Sequence, residues 1–220
     1  MEYINKKYID EYLADLIDFP ETPVMAEIRK AAEEKNYPIL RPLAASLLNI
    51  MVRMKNPYSV LEIGTSIGYS GMVILGAMEA KGRLTTVDSD EDVLRLAKEN
   101  FRKQGVSDRV LLICGDGRDV LHHLEDAFDM IFLDGPKAQY LLYLPDCIRL
   151  LKNNGILICD NVLFYGMVAK DSLIQKRKIT IVKRLRKFLR ILTEHPILDT
   201  TIIPIGDGIS VSIKKGSDMM

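Results

Sequence analysis

Cysteine is scarce in this chain: only Cys114, Cys147 and Cys159, widely spaced and set in apolar runs. An odd, scattered set argues against a disulfide framework or a cysteine zinc site and reads as reduced thiols of a cytoplasmic protein. The three histidines, His122, His123 and His195, lack metal-ligand spacing. No apolar run reaches the length of a membrane span. The opening residues Met1 to Lys7 lack the apolar core of a secretory leader. Repeats, low-complexity tracts and linkers are also missing, so residues 1–220 read as one domain, long enough for a sizeable core. With 48% hydrophobic and 27% charged residues, the composition is that of an ordinary globule.

Net charge is absent too, but the zero hides an uneven spread. Residues 1–34 hold nine acids against four bases. Residues 170–190 hold nine bases against one acid, Asp171. Such a segment is a candidate polyanion-binding face, or simply a solvated helix surface.

Helical spacing of apolar residues predicts helices over 2–17, 24–35 and 42–55, punctuated by Pro20, Pro23, Pro38 and Pro42. Together, residues 1–56 form an N-terminal helical region suited to a lid or a homodimer surface. From residue 57 to 214 the pattern alternates. Short apolar runs predict strands at 59–63, 84–88, 109–113, 129–133 and 156–160. Between and after them fall helices at 69–80, 90–104, 117–124, 139–151 and about 174–193. Alternation of this kind predicts a parallel sheet covered on both faces. Residues 200–205 and 209–213, joined by Gly206-Asp207-Gly208, read as a closing hairpin, which adds one antiparallel strand.

The stretch Val60 to Ser70 reads as a buried strand, a glycine turn and a helix start. Gly64 and Gly68 let a ligand approach the backbone, and Ser70 with the free N–H groups of the helix faces it. The dinucleotide fingerprint needs a middle glycine where Ser66 stands, and Glu62 would repel a pyrophosphate. Both features point away from NAD and towards a cofactor with a positive charge.

Ligands of open parallel sheets sit at the carboxyl ends of the strands. Here those ends carry Glu62, Asp88, Asp116, Asp134 and Asp160-Asn161. Asp88 can accept hydrogen bonds from ribose hydroxyls or cap the helix that follows, where Ser89 or Asp90 could stand in. Asp116 can meet an adenine amino group or cap the helix at 117. Asp134, Asp160 and Asn161 would converge across strands about 4.8 Å apart. An all-oxygen set suits a hard cation, Mg²⁺ (or Mn²⁺ or Ca²⁺), though Asp and Asn also serve as loop caps. Lys137 follows closely, as a candidate base or as a surface lysine.

The segments LEIGTSIGYS, TTVDSDEDVLRLAKEN, GDGRDVL, FLDGPKAQY, LLKNNGILICDNVL and IPIGDGISVS resemble the cation-dependent O-methyltransferases, the family of catechol and caffeoyl-CoA O-methyltransferases, over residues 38–214. The resemblance implies a class I methyltransferase (Rossmann-like) doubly wound α/β sheet of about seven strands with one antiparallel strand. It implies S-adenosylmethionine as donor, contacted by Leu40, Glu62, Gly64, Ser70, Asp88, Asp116, Gly117 and Asp134. It also implies metal ligation by Asp134, Asp160 and Asn161, with Asp134 and Lys137 in catalysis and Lys137 helping to deprotonate the acceptor. One departure is Gly135-Pro136, where the family often has Ala. Within the family, residues 160–169, the basic run to Arg190 and residues 195–208 are similar to bacterial tRNA 5-hydroxyuridine methyltransferases. That likeness implies tRNA as partner, with conversion of an anticodon 5-hydroxyuridine to 5-methoxyuridine. The alternative is a small catechol-like or CoA-linked phenol as acceptor.

Overall fold

A computed structural model describes residues 4–216. Three helices come first: α1 (Lys7–Leu16), α2 (Pro23–Lys35) and α3 (Pro42–Lys55). The alternating part follows as β1 (Ser59–Ile63), α4 (Tyr69–Ala77), β2 (Arg83–Asp88), α5 (Glu91–Gln104), β3 (Val110–Cys114), α6 (Gly117–His123), β4 (Phe128–Leu133), α7 (Tyr140–Leu150) and β5 (Leu151–Cys159). Then come α8 (Ile179–Glu194), β6 (Leu198–Ile203) and β7 (Ile209–Lys214).

The strands form one seven-stranded sheet in the order β3-β2-β1-β4-β5-β7-β6. All neighbours pair in parallel except β7, which is antiparallel to both β5 and β6. This is the expected doubly wound class I architecture with one antiparallel strand. Strand order reverses between β1 and β4, so a crevice opens at their carboxyl ends.

Alternation along the buried strands feeds two cores. Val60, Met130 and Ile158 face α2–α5, where Met25, Ile28, Leu48, Val52 and Phe101 pack. Leu61, Ile131 and Leu157 face α6–α8, where Leu121, Tyr140, Leu185 and Phe188 pack. Helix α8 fulfils its amphipathic reading: Val182, Leu185, Phe188, Leu189 and Leu192 are buried, while Lys183, Lys187 and Arg190 are exposed.

Several boundaries differ from expectation. Helix α1 starts at Lys7, because residues 4–6 are bends and coil; residues 2 and 3 lie outside the described residues. Helix α8 starts at Ile179, and the crowded cations before it, Lys176–Lys178, form a short 3₁₀ turn. Strand β5 begins at Leu151 rather than Ile156, because Leu151 already pairs with Phe128 before a register shift to Met130–Ile156. Strand β6 ends at Ile203, since Pro204 has no N–H to continue the ladder. Helices α2 and α3 are packed into the first core rather than laid over it. Within the region read as a lid or homodimer surface, Tyr8, Tyr12 and Leu16 of α1 and Ile50 and Met54 of α3 are exposed. No helix among the described residues is long and apolar enough to cross a membrane.

Candidate active site

The sheet ladder continues past the strand ends and fixes the residues there. Gly64 N–H donates to the Val87 carbonyl at 2.8 Å, and Asp134 N–H to Ile63 at 2.9 Å. Asp160 N–H donates to Leu133 at 3.0 Å, and Gly115 N–H to Asp88 at 2.9 Å. Five strand ends are thereby held around one cavity of about 500 Å³. Leu40, Gly64, Ser70, Asp88, Asp116, Gly117, Asp134, Lys137, Asp160 and Asn161 all line it. Pro38 to Arg41, the connection from α2 to α3, close one side.

At the glycine turn, Gly64 has φ +105° and Gly68 φ +87°, and Ser66 takes a left-handed φ of +46°. Asp88 Oδ2 accepts from Ser66 N–H at 2.8 Å, and its Oδ1 accepts from Asp90 N–H at 3.1 Å. The cap of α5 is Asp90, which accepts from Asp92 and Val93 N–H. Asp88 is thus left on the cavity wall with unused lone pairs. Asp116 both lines the cavity and caps α6, accepting from Arg118 N–H at 2.8 Å.

Glu62 is the one expected site residue that does not line the cavity; it is fully buried beneath the turn. Alternation puts it on the Val60 side of β1, under α4. Its Oε2 accepts from the Thr86 hydroxyl at 2.6 Å, and Thr86 is in turn 2.6 Å from the Thr65 hydroxyl. Oε1 has no partner in hydrogen-bond geometry. Burial pushes the Glu62 carboxyl up to about 7 from an ordinary 4.5, against the lowering effect of the Ser70 and Thr86 hydroxyls. The folded chain therefore holds a proton there that the unfolded chain has released. That stabilisation is complete below pH 4.5 and is lost as pH rises through about 7. Melting temperatures taken across this interval should fall with rising pH, and Glu62→Gln should flatten the slope. Identical slopes for the two proteins would refute the assignment.

On the other side of the crevice, Lys137 Nζ donates to Asp134 Oδ1 at 2.7 Å. Asp160 is 4% exposed, and its carboxyl accepts from Asn161 N–H at 2.7 Å. Burial, reinforced by the charge of Asp134, pushes that carboxyl up to about 7. Asn161 is itself left-handed, with φ +56°. Among the described residues no three His, Cys, Asp or Glu side chains form a metal cluster; the expected set has two acids and an amide. One buried acid, one half-buried acid and an amide oxygen are a donor set that fits a hard cation.

Three residues of the site carry no signal that periodicity or spacing could expose. Tyr140 is fully buried, with its hydroxyl 3.0 Å from the carbonyls of both Leu133 and Asp160, so it ties the ends of β4 and β5. Asp207, in the β6–β7 turn, accepts from Tyr165 N–H at 2.5 Å and shapes the cavity wall beside Asn161. Tyr69 lines the cavity at the start of α4.

The sequence model of the O-methyltransferase family matches residues 15–215. The chain belongs to the O-methyltransferase family. Across its matched length this O-methyltransferase is 31% identical to a Mycobacterium leprae protein named as a candidate O-methyltransferase, over 89% of this chain and 86% of that one. A Staphylococcus aureus structure, named as a candidate caffeoyl-CoA O-methyltransferase, superposes with a TM-score of 0.87 at 30% identity, covering 94% of this chain and all of that one (100%). The O-methyltransferase TomG of Streptomyces achromogenes, involved in tomaymycin synthesis and solved with S-adenosylmethionine, gives a TM-score of 0.84 at 25% identity, covering 98% and 100%.

Proposed function

We propose that this O-methyltransferase moves the methyl group of S-adenosylmethionine to the 5-hydroxyl of a 5-hydroxyuridine in a tRNA anticodon, giving 5-methoxyuridine. The observation that carries the chemistry is the convergence of the glycine turn and the Asp134–Asp160–Asn161 set on one cavity. S-adenosylmethionine supplies an electrophilic methyl on a sulfonium, as TomG's bound donor suggests. Asp88 would hold the ribose and Asp116 the adenine, while Gly64 and Gly117 keep the backbone open to the donor. Asp134, Asp160 and Asn161 would hold Mg²⁺ (or Mn²⁺ or Ca²⁺), which lowers the pKa of an acceptor hydroxyl. Lys137, whose Nζ lies 2.7 Å from Asp134 Oδ1, would take the hydroxyl proton in its neutral amine form. The cavity walls would then bring oxygen, methyl carbon and sulfur into line.

The basic segment 170–190 supports RNA as acceptor because it borders the same mouth. Arg184 Nη1 donates to the Ala138 carbonyl at 3.1 Å, next to Lys137. Lys178 Nζ lies 5.8 Å from the ring centre of Phe164, which lines the cavity. Arg186 neutralises Asp171, the only acid of the segment, and this leaves Lys183, Lys187 and Arg190 facing outward. A second reading, a small catechol-like or CoA-linked phenol, is favoured by the name of the S. aureus neighbour.

The deciding assay offers the protein, S-adenosylmethionine and Mg²⁺ either 5-hydroxyuridine-containing tRNA or catechol. Methylated tRNA is expected. Charge reversal at Lys183 and Lys187 should lower tRNA turnover about tenfold or more at moderate salt and leave catechol turnover intact. Reaction of catechol alone, with tRNA neither reacting nor competing, overturns the tRNA reading. An equal loss on both acceptors would remove α8 from the RNA surface.

A further inference from the structure

Helix α2 reaches across to the glycine turn through a three-residue polar network. Arg29 grips the Glu21 carboxylate with Nε at 3.0 Å and Nη2 at 2.8 Å. The Tyr69 hydroxyl donates to Glu21 Oε1 at 2.8 Å, and Arg29 Nη2 donates to the Tyr69 oxygen. The guanidinium also lies 5.2 Å from the centre of the Tyr69 ring, a cation–π contact. Each of the three groups is thus bonded to both others. Glu21 and Arg29 are each 23% exposed at the side chain, sheltered enough for the pairing to hold its geometry.

The placement of the network matters more than its strength. Tyr69 is the first residue of α4, directly after Gly68, and Ser70 follows on the cavity wall. At the other end of α2, residues 38–41 close the cavity, and the Ser66 hydroxyl donates to the Pro38 carbonyl at 3.1 Å. The turn is therefore tied to the α2 region at two points, once through Tyr69 and once through Ser66. Apolar packing of Met25, Ile28 and Ala32 fixes α2 against the core but sets no register against the turn.

We propose that Glu21, Arg29 and Tyr69 are positioning residues for the methyl donor. Their network sets the helix start at Tyr69 and the cover at 38–41 at the spacing that the donor requires. The proposal rests on the S-adenosylmethionine reading above and adds to it a set of residues that touch neither reacting atom. A latch of this kind acts on donor affinity and leaves the acceptor side, across the crevice, undisturbed.

The test is calorimetric titration of S-adenosylmethionine into wild type, Tyr69→Phe, Arg29→Met and Glu21→Gln, with donor and acceptor KM and kcat measured alongside. Tyr69→Phe keeps the ring and loses both hydrogen bonds. Donor Kd and donor KM should rise about tenfold in Tyr69→Phe and Arg29→Met, the factor carried by one charged hydrogen bond. Glu21→Gln keeps an acceptor and should recover most of that loss. Acceptor KM, and kcat at saturating donor, should stay within about twofold of wild type. If the variants melt earlier but bind donor as tightly as wild type, the network is merely structural and the proposal fails. If Arg29→Met does not fold, the Tyr69→Phe measurement decides alone. Absence of S-adenosylmethionine binding by wild type would instead overturn the donor reading itself.

Discussion

Asp160→Ala is expected to abolish cation-stimulated methyl transfer, lowering turnover at least about a hundredfold, while S-adenosylmethionine binding stays within about threefold of wild type. The side chain is 4% exposed, and its backbone N–H is pinned to the Leu133 carbonyl. Such a carboxylate cannot be replaced by a neighbour that swings in. Asp134 is already engaged by Lys137, and Asn161 offers only an amide. Burial and the charge of Asp134 both resist ionisation of Asp160, and a bound dication would favour its ionised form. Removing Asp160 would delete one of the proposed ligands. Cation-stimulated turnover should therefore be lost while the half of the cavity built on β1 to β3 keeps its shape. Turnover against Mg²⁺ concentration, paired with calorimetric donor titration, checks both halves. Undiminished, Mg²⁺-dependent turnover in this variant would remove Asp160 from the proposed metal site.

Gly64→Ala should be the most damaging single methyl in the chain. A Cβ at Gly64 would lie 2.5 Å from the Asp134 carbonyl oxygen, 2.7 Å from its carbon and 3.0 Å from the Gly135 nitrogen. Every one of these atoms is backbone, so no side chain can swing aside. The φ of +105° is itself strained for any residue with a Cβ. Strain and overpacking together should cost about 2–5 kcal/mol. At about 2–4 °C per kcal/mol for a chain of this size, the melting temperature should fall by about 5–20 °C. The atoms that must move include those of Asp134, so donor affinity and turnover should fall with stability. Gly76→Ala is the internal control, because nothing lies within 4 Å of a Cβ there and its φ is not positive. It should be neutral or slightly stabilising, as alanine is in helices. Equal melting temperatures for the two variants would show that the turn yields more easily than its geometry implies.

The contrast between these residues and the latch explains what the sequence made legible. Strand ends were readable because a buried parallel strand is a short apolar run, and the polar residue that stops it marks the crevice. Asp88, Asp134 and Asp160 each stop such a run, and all three line the cavity. The choice between caps and ligands was less legible, since Asp serves both. The structure divides the work, giving the cap of α5 to Asp90 and leaving Asp116 with a cap and a place on the wall. Residues joined across the fold gave no periodic signal. Glu21 and Tyr69 are 48 positions apart, and Asp207 reaches Tyr165 across 42. Tyr140 sits in an apolar helix where its ring predicts burial and its hydroxyl predicts nothing. The sequence predicts the closing hairpin but not the entry of β7 between β5 and β6, because hairpin spacing does not say which strand meets the sheet.

That insertion has a consequence for the order in which the protein is made. Until Ile209–Lys214 has been synthesised, β5 is an open edge, with its outward N–H and C=O groups unpaired. Strands β1 to β4 can pair as they emerge, since each has its neighbours among the residues already released or soon to follow. Strand β5 must wait while the whole basic segment and α8 pass. The Asp207 wall, and the nearby bond from Val162 N–H to the Gly208 carbonyl, are set only when β7 docks. The side of the cavity bounded by Asp207 is therefore the last part of the molecule to take shape. A nascent chain stalled short of Ile209 would carry a finished glycine turn and an unfinished half-site, with a sticky strand exposed beside a run of nine cations.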